Sequence, residues 1–273
     1  MSDSPAIVLT REQVEQFHRD GFLALERLMD PEEVAWAREI YDRLFAQRAG
    51  REFGDQFDLG GPDTEGEVAV LPQILNPAKY APELKEGRYR KNALAIAQQL
   101  LGEEAVYQGE HAIFKPARYG AATPWHQDEA YWNPAMDYYS ISIWIPLQEA
   151  TIENGCLWFV PGSHHWEIVP HHTIGHDPRV HGLEVDEADT SDAVACPIPA
   201  GGCTIHLNRT LHYAGPNTSE IHRRAYILGY GHPPKPRTEP REFPWNASKQ
   251  TPREERARAA GAAHPRADTL PKE

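Results

Sequence analysis

His126 and Asp128, two residues apart in Pro124-Trp125-His126-Gln127-Asp128-Glu129, are the residues best placed by type and spacing to do chemistry. On an extended backbone, positions i and i+2 project to the same face, so an imidazole and a carboxylate there can grip one metal ion from one side. A second imidazole from a distant segment would complete two histidines and one carboxylate. That set holds non-haem iron on one face and leaves the other open to substrate and oxygen. His206 and His212 both lie on short apolar runs and can supply the third donor. Arg223 follows His212 by eleven residues. If the two sit on adjacent antiparallel strands, metal and guanidinium share a cavity, which makes a receptor for an acid that chelates at one end and pairs with the arginine fork at the other.

The elements that must position these residues are legible in outline. Residues from about 10 to 101 read mainly as helices. Thr10 with Gln13 forms a capping-box pattern, and Asp30-Pro31-Glu32-Glu33 repeats the device with proline at the first helical position. Val34, Arg38, Tyr41, Leu44 and Phe45 follow at helical spacing, and a further helix covers Lys91 to Leu101. Gly21 to Leu25 reads as a short strand, and Arg51 to Gly66, rich in Gly and Asp, as a mobile loop. From about 103 to 232 the texture changes to short strands and turns. Ile141, Ile143, Ile145 and Leu147 alternate with Ser142, Trp144 and Pro146, the pattern of a half-buried strand. Runs at 157–160, 203–207 and 225–230 read as further strands, which together suggest a β-sandwich or barrel. Residues 165–193 lack periodicity and read as an excursion over the barrel mouth. The expected organisation is a single domain over 1–248, with 249–273 a frayed or disordered tail.

Composition narrows the function. The net charge of −13 argues against nucleic acid, which rewards clustered Lys and Arg. No apolar run reaches the roughly 18 residues of a membrane span, and the N-terminus does not read as a secretory leader, so a cytoplasmic location is expected. Three cysteines without C-x-x-C spacing fit a reducing compartment and buried packing. His164, His165, His171, His172, His176 and His181 show no recognised metal motif, and read as solvated or loop-packing histidines.

The chain resembles the phytanoyl-CoA dioxygenase family of iron(II)/2-oxoglutarate oxygenases. The resemblance rests on Leu9-Thr10-Arg11-Glu12-Gln13, Asp20-Gly21-Phe22, Lys115-Pro116, Trp125-His126-Gln127-Asp128 and Trp144-Ile145-Pro146-Leu147. It continues through Gly155-Cys156-Leu157, Pro161-Gly162-Ser163-His164 and the His212 to Arg223 segment. It implies a mainly β fold with flanking helices around a double-stranded β-helix (jelly-roll, cupin-like) core. It also implies that His126, Asp128 and His212 ligate Fe(2+), since His206 is wrongly spaced from Arg223 for the family, and that Arg223 rather than Arg224 binds the C5 carboxylate of 2-oxoglutarate. Trp144 falls beside the cosubstrate, Gln108 and Lys115 are candidates for polar contacts to it, and Tyr131 and Trp132 for a substrate-pocket wall.

The reaction implied uses O2, decarboxylates 2-oxoglutarate to succinate and hydroxylates an unactivated C–H bond of a small molecule. Related halogenases lack the carboxylate, so Asp128 favours hydroxylation or another oxidation. Arg118, Arg209 and Arg224 are candidates to meet an anionic substrate group, and Asn217 reads as a turn stabiliser. The rival readings are a cupin-like metalloprotein with non-oxidative chemistry and a non-catalytic binding protein on the same fold. Neither nucleic acid nor membrane is an expected partner, and the sequence leaves the oligomeric state open.

Overall fold

The computed structural model describes residues 7–261. The N-terminal helix α1 (Arg11–Asp20) starts where the sequence says it should, with the Thr10 side chain accepting from the Gln13 backbone and the Gln13 side chain accepting from the Thr10 backbone. Strand β1 (Phe22–Leu25) follows, then α2 (Pro31–Ala46) with Pro31 in its first turn. Asp30 does not cap α2 through its side chain; its carboxylate pairs instead with Arg27 and Arg88. After β2 (Gln56–Asp58) and β3 (Pro72–Leu75) comes α3 (Tyr89–Leu101), two residues longer at its start than the sequence predicts.

The remaining chain is mostly strand: β4 (Val106–Lys115), β5 (Thr123–His126), β6 (Met136–Asp137), β7 (Ser140–Pro146) and β8 (Leu157–Phe159). Then come β9 (His171–Thr173), β10 (Leu183–Val185), β11 (Val194–Cys196), β12 (Cys203–Leu207), β13 (His212–Ala214), β14 (Arg223–Gly231) and β15 (Lys235–Pro236). Two short helices, α4 (Pro244–Ala247) and α5 (Pro252–Ala259), end the described chain.

Eleven of the strands form two antiparallel sheets, and β9–β10 and β6–β15 make two small antiparallel pairs. The major sheet has the order β1-β12-β7-β14-β4-β3-β2, and the minor sheet β11-β8-β13-β5. This is the jelly-roll arrangement that the resemblance implies, and the N-terminal part supplies three of its seven major strands as well as its helices. One face of the major sheet is roofed by α1, α2 and α3: Ile141, Ile143, Ile145, Tyr226 and Leu228 pack against Phe17, Ile40, Tyr41, Leu44 and Ile96. The other face meets the minor sheet through Trp144, Ala225 and Ile227 against Leu157, Phe159 and Ala214. All three cysteines are buried there or beneath the helices.

Strand β7 differs from its predicted half-buried state, because all seven of its residues are buried. Its isoleucines face the helices, while Ser142 and Trp144 face a cavity between the sheets. A polar residue on an alternating strand can point into a functional cavity as readily as into solvent.

Three loop expectations also change. The 51–66 segment is ordered rather than mobile: buried Asp58 accepts backbone N–H groups of Gly60, Val70 and Leu71, and Asp63 accepts that of Asp58. The 165–193 excursion carries the β9–β10 hairpin. The segment 249–261 is not a disordered tail. Arg256 binds Asp63 and the backbone of Arg51 and Gln56, and Arg253 reaches the Gly54 carbonyl while lying 4.4 Å over the Phe57 ring. Those partners lie about 200 residues back, since 253 − 54 = 199, so local periodicity carries no trace of the docking. The last residues of the expected tail, 262–273, lie outside the described part.

Candidate metal and cosubstrate site

Strands β5 and β13 pair so that His126 and His212 stand directly opposite one another on the minor sheet, with ring centroids 4.2 Å apart. Just past the end of β5, Asp128 turns back between them. Its Oδ1 lies 3.5 Å from Nε2 of His126 and 3.6 Å from Nε2 of His212, and donor atoms of the three residues fall within 4.8 Å of one another.

Both histidines are fixed in the tautomer a metal needs. Nδ1 of His126 lies 2.7 Å from the Pro124 carbonyl, and Nδ1 of His212 lies 2.9 Å from the Thr210 carbonyl. A carbonyl only accepts, so each Nδ1 carries the proton and each Nε2 directs a lone pair at Asp128. His126 and His212 are buried and Asp128 nearly so. Burial would raise the Asp128 pKa, but His212, His126 and His206 outweigh it and hold the carboxyl well below its usual range. Burial, with His126 and His206, pushes the His212 pKa well down. Two imidazoles and one carboxylate fit a divalent ion of the iron class.

The second carboxylate oxygen of Asp128 faces away from that pair. The Ser142 hydroxyl donates to Oδ2 at 3.0 Å, and Nε2 of His206 lies 3.3 Å from it. His206 therefore enters the same cavity, but at the back of Asp128. His111, directed inward from β4, also lines the cavity; burial lowers its pKa to about 4.

The backbone between the two β5-side donors is secured by residues the sequence reading missed. Nε2 of His171 accepts the Gln127 N–H at 3.1 Å, and its Nδ1–H is directed at the Val169 carbonyl at 2.6 Å. Burial lowers the His171 pKa to about 3, so this histidine is a neutral acceptor. The Gln127 side chain joins the Val169 N–H to the Arg209 carbonyl. No local pattern singles out His171, because its partner is 44 residues away.

Adjacent residues of β14 face opposite ways, and this separates the two arginines as alternation requires. Arg224 turns outward to Asp42 of α2. Arg223 points inward, is 1% exposed, and has its guanidinium carbon 5.4 Å from the Trp144 ring centroid. Among the described residues, its Nε and Nη1 have no hydrogen-bond partner. Burial lowers its pKa to about 10, which still leaves it cationic near neutrality. A buried cation with unpaired donors is costly unless an anion arrives to meet it. Three convergent metal donors and an unsatisfied guanidinium in one cavity fit a chelating dicarboxylate.

The other predicted contacts separate. Lys115 pairs with Arg223 across β4 and β14, yet its Nζ donates to the carbonyls of Ala214 at 3.0 Å and Gly215 at 2.5 Å. It ties the two sheets and is absent from the cavity wall. Gln108 lines the cavity from the opposite end of β4, seven residues from Lys115 (115 − 108), or roughly 23 Å along a strand. It thus stands far from the Arg223 end, and donates to the His232 carbonyl.

Tyr131 and Trp132 both line the cavity; the Tyr131 hydroxyl accepts the Leu183 N–H, and Trp132 meets Tyr138 edge-on at 4.7 Å. The three surface arginines are already engaged: Arg118 with Glu220, Arg209 with Glu129 and Arg224 with Asp42. Asn217 stabilises its turn as expected, accepting from Ser219 and donating to the carbonyls of Lys115 and Ile221.

Comparison with known proteins agrees with this geometry. The model of the phytanoyl-CoA dioxygenase (PhyH) family matches residues 17–225. A probable alpha-ketoglutarate-dependent hypophosphite dioxygenase of Stutzerimonas stutzeri is 28% identical over 226 residues, covering 80% of this chain and 77% of its own. Phytanoyl-CoA dioxygenase domain-containing protein 1 of Danio rerio is 28% identical over 263 residues, covering 81% and 89%. The crystal structure of EvdO2 from Micromonospora carbonacea var. aurantiaca, complexed with 2-oxoglutarate, matches with a TM-score of 0.76 at 40% identity, covering 88% of this chain and 98% of that one. Among the described residues no helix is long and apolar enough to cross a membrane. The chain belongs to the phytanoyl-CoA dioxygenase family, and is a dioxygenase that uses iron(II), 2-oxoglutarate and oxygen.

Proposed function

We propose that the protein hydroxylates an unactivated C–H bond of a small-molecule metabolite, with decarboxylation of 2-oxoglutarate to succinate. In this reading His126, Asp128 and His212 hold the iron, and Arg223 receives the C5 carboxylate of the cosubstrate. The observation that carries it is the buried guanidinium of Arg223 with no hydrogen-bond partner for Nε or Nη1 among the described residues, in the cavity where the three metal donors converge.

The iron, when bound, supplies oxygen activation coupled to oxidation of the cosubstrate. The residues supply placement. Arg223 and the Trp144 face orient one end of the cosubstrate. Ser142 and His206 hold Oδ2 of Asp128, so that Oδ1 faces the histidines. The apolar wall of Leu157, Ile227 and Trp144 keeps bulk water from the Arg223 end.

The cavity volume, about 520 Å3, suits a small molecule. Its wall combines the carboxamides of Gln73, Asn76, Gln108 and Asn133 with the aromatic faces of Trp132 and Tyr138. Among the described residues Arg223 is the one Lys or Arg in the lining, which disfavours a substrate carrying phosphates, such as an acyl-CoA. A neutral compound rich in hydrogen-bonding groups suits this wall.

The test is anaerobic addition of iron(II) and then 2-oxoglutarate, followed by optical spectroscopy and, on admission of oxygen, succinate measurement. A metal-to-ligand charge-transfer band is expected in the wild type and is weakened or lost in His126→Ala and Arg223→Ala. If the wild type lacks the band, or both variants keep it unchanged, the assignment fails.

A further inference from the structure

The β9–β10 hairpin has two faces with different histidine chemistry. On the inner face, His171 holds the Gln127 backbone. On the outer face, His172 stands opposite Glu184 in register, and His176 and Asp186 close around it. Donor atoms of His172, His176 and Asp186 lie within 4.8 Å of one another, as they do in the iron triad. The expectation that these histidines merely pack or face solvent overlooks this convergence, because it depends on the hairpin and not on sequence spacing.

Three details distinguish the cluster from a chance gathering of polar side chains. Nδ1 of His172 lies 2.8 Å from the Thr173 carbonyl, so that nitrogen carries the proton in the neutral ring. Its Nε2 lies 3.3 Å from Oδ1 of Asp186. The His176 ring stacks on His172 with centroids 3.7 Å apart and planes 15° from parallel.

The backbone adds the third detail. His176 has φ 56, in the left-handed region that residues other than glycine rarely adopt, directly after Gly175 at φ 63. Glu184 secures the turn by accepting the Gly175 N–H at 2.8 Å. Strain of this kind persists where surrounding structure requires it, and here it brings His176 back over His172.

We propose that His172, His176 and Asp186 form a second metal site, for a borderline divalent ion of the zinc class, with water completing the coordination and Glu184 adjacent. Two imidazoles and a carboxylate suit such an ion better than calcium or magnesium, which take oxygen donors. Tetrahedral zinc sites separate their donors by roughly 3.3 Å, which Nε2 of His172 and Oδ1 of Asp186 already match at 3.3 Å. The ion would fasten β9, β10 and the turn between them. It would thereby stiffen the hairpin whose inner face braces the segment between His126 and Asp128.

Equilibrium dialysis against Zn2+, with metal content measured by mass spectrometry, tests this independently of the catalytic assignment. Two equivalents are expected for the wild type and one for the double variant His176→Ala/Asp186→Asn. His126→Ala alone should also retain one, and the triple combination none. In the His126→Ala background Zn2+ should raise the melting temperature, and adding His176→Ala should abolish the rise. An equal zinc content in the wild type and the double variant, or a zinc-induced rise that survives His176→Ala, would each overturn the proposal. Circular dichroism of each variant confirms that lost metal is not lost fold, and His172→Gln gives the same reading should the double variant fail to fold. A failed iron assignment would show instead as an unchanged count in His126→Ala with the hairpin equivalent intact.

Discussion

Replacing Arg223 with methionine separates binding from stability in a way the geometry makes quantitative. The guanidinium is 1% exposed and has no hydrogen-bond partner for Nε or Nη1 among the described residues, so the protein alone carries its desolvation cost. Truncating one partner of a buried fork-to-carboxylate pair costs about 3–4 kcal/mol. At about 1.4 kcal/mol per tenfold, the KM for 2-oxoglutarate should rise roughly 100- to 1000-fold. The pairing is made equally before and during reaction, so kcat at saturating cosubstrate should fall far less. The protein without cosubstrate should melt no lower than the wild type, because a buried cation has been replaced by an apolar chain of similar length. Succinate formation against 2-oxoglutarate concentration, with a thermal melt of the same preparation, reads both. A KM within threefold of the wild type, or a large drop in melting temperature without cosubstrate, would refute the role assigned to Arg223.

Further outcomes follow from the surrounding structure. His206→Ala and Ser142→Ala each remove a neighbour of Oδ2 of Asp128, and should weaken iron binding roughly 10- to 100-fold, checked by competition with a chromophoric chelator; unchanged affinity in both would exclude a positioning role. Ending the chain after Ser248 removes Arg253 and Arg256 from the 51–63 segment, and should lower thermal stability by about 2 kcal/mol or more; a melt identical to the full chain would contradict the packing described. His171 has its pKa lowered by burial from 6.5 to about 3, so the unfolded chain binds a proton the folded one refuses. Stability from this group is complete above pH 6.5 and is lost as pH falls towards 3, at up to about 1.4 kcal/mol per pH unit. His171→Gln should flatten that part of the denaturation profile, and an unaltered slope would show that His171 is not its source.

The sequence carries the parts of this site that are local or alternating. The β5 H-x-D, the inward and outward arginines of β14 and the capping box of α1 each rest on contacts within a few residues or on strand period. What it hides is decided by distance along the chain. Ser142 reads as a solvent-facing residue of a half-buried strand until the cavity is known to lie on that side. His111 and His171 carry no local signature. The basic C-terminal segment reads as a tail because its partners, Gly54 and Asp63, precede it by most of the chain. Lys115 shows the opposite error: the resemblance suggests a contact to the cosubstrate, whereas its Nζ is held by two carbonyls.

The cross-strand pairing of His126 with His212 bears on how the protein assembles. The two residues are 86 positions apart (212 − 126), and the pairing of β5 with β13 is what brings them together. Their loop must therefore close, at an entropic cost set by its length, before an ion has two imidazoles to hold. Metal capture is a reward for completed topology rather than a seed for it. Affinity for the ion and stability of the minor sheet are thus one thermodynamic quantity seen from two ends, and any change that loosens β5 from β13 is felt at the metal first.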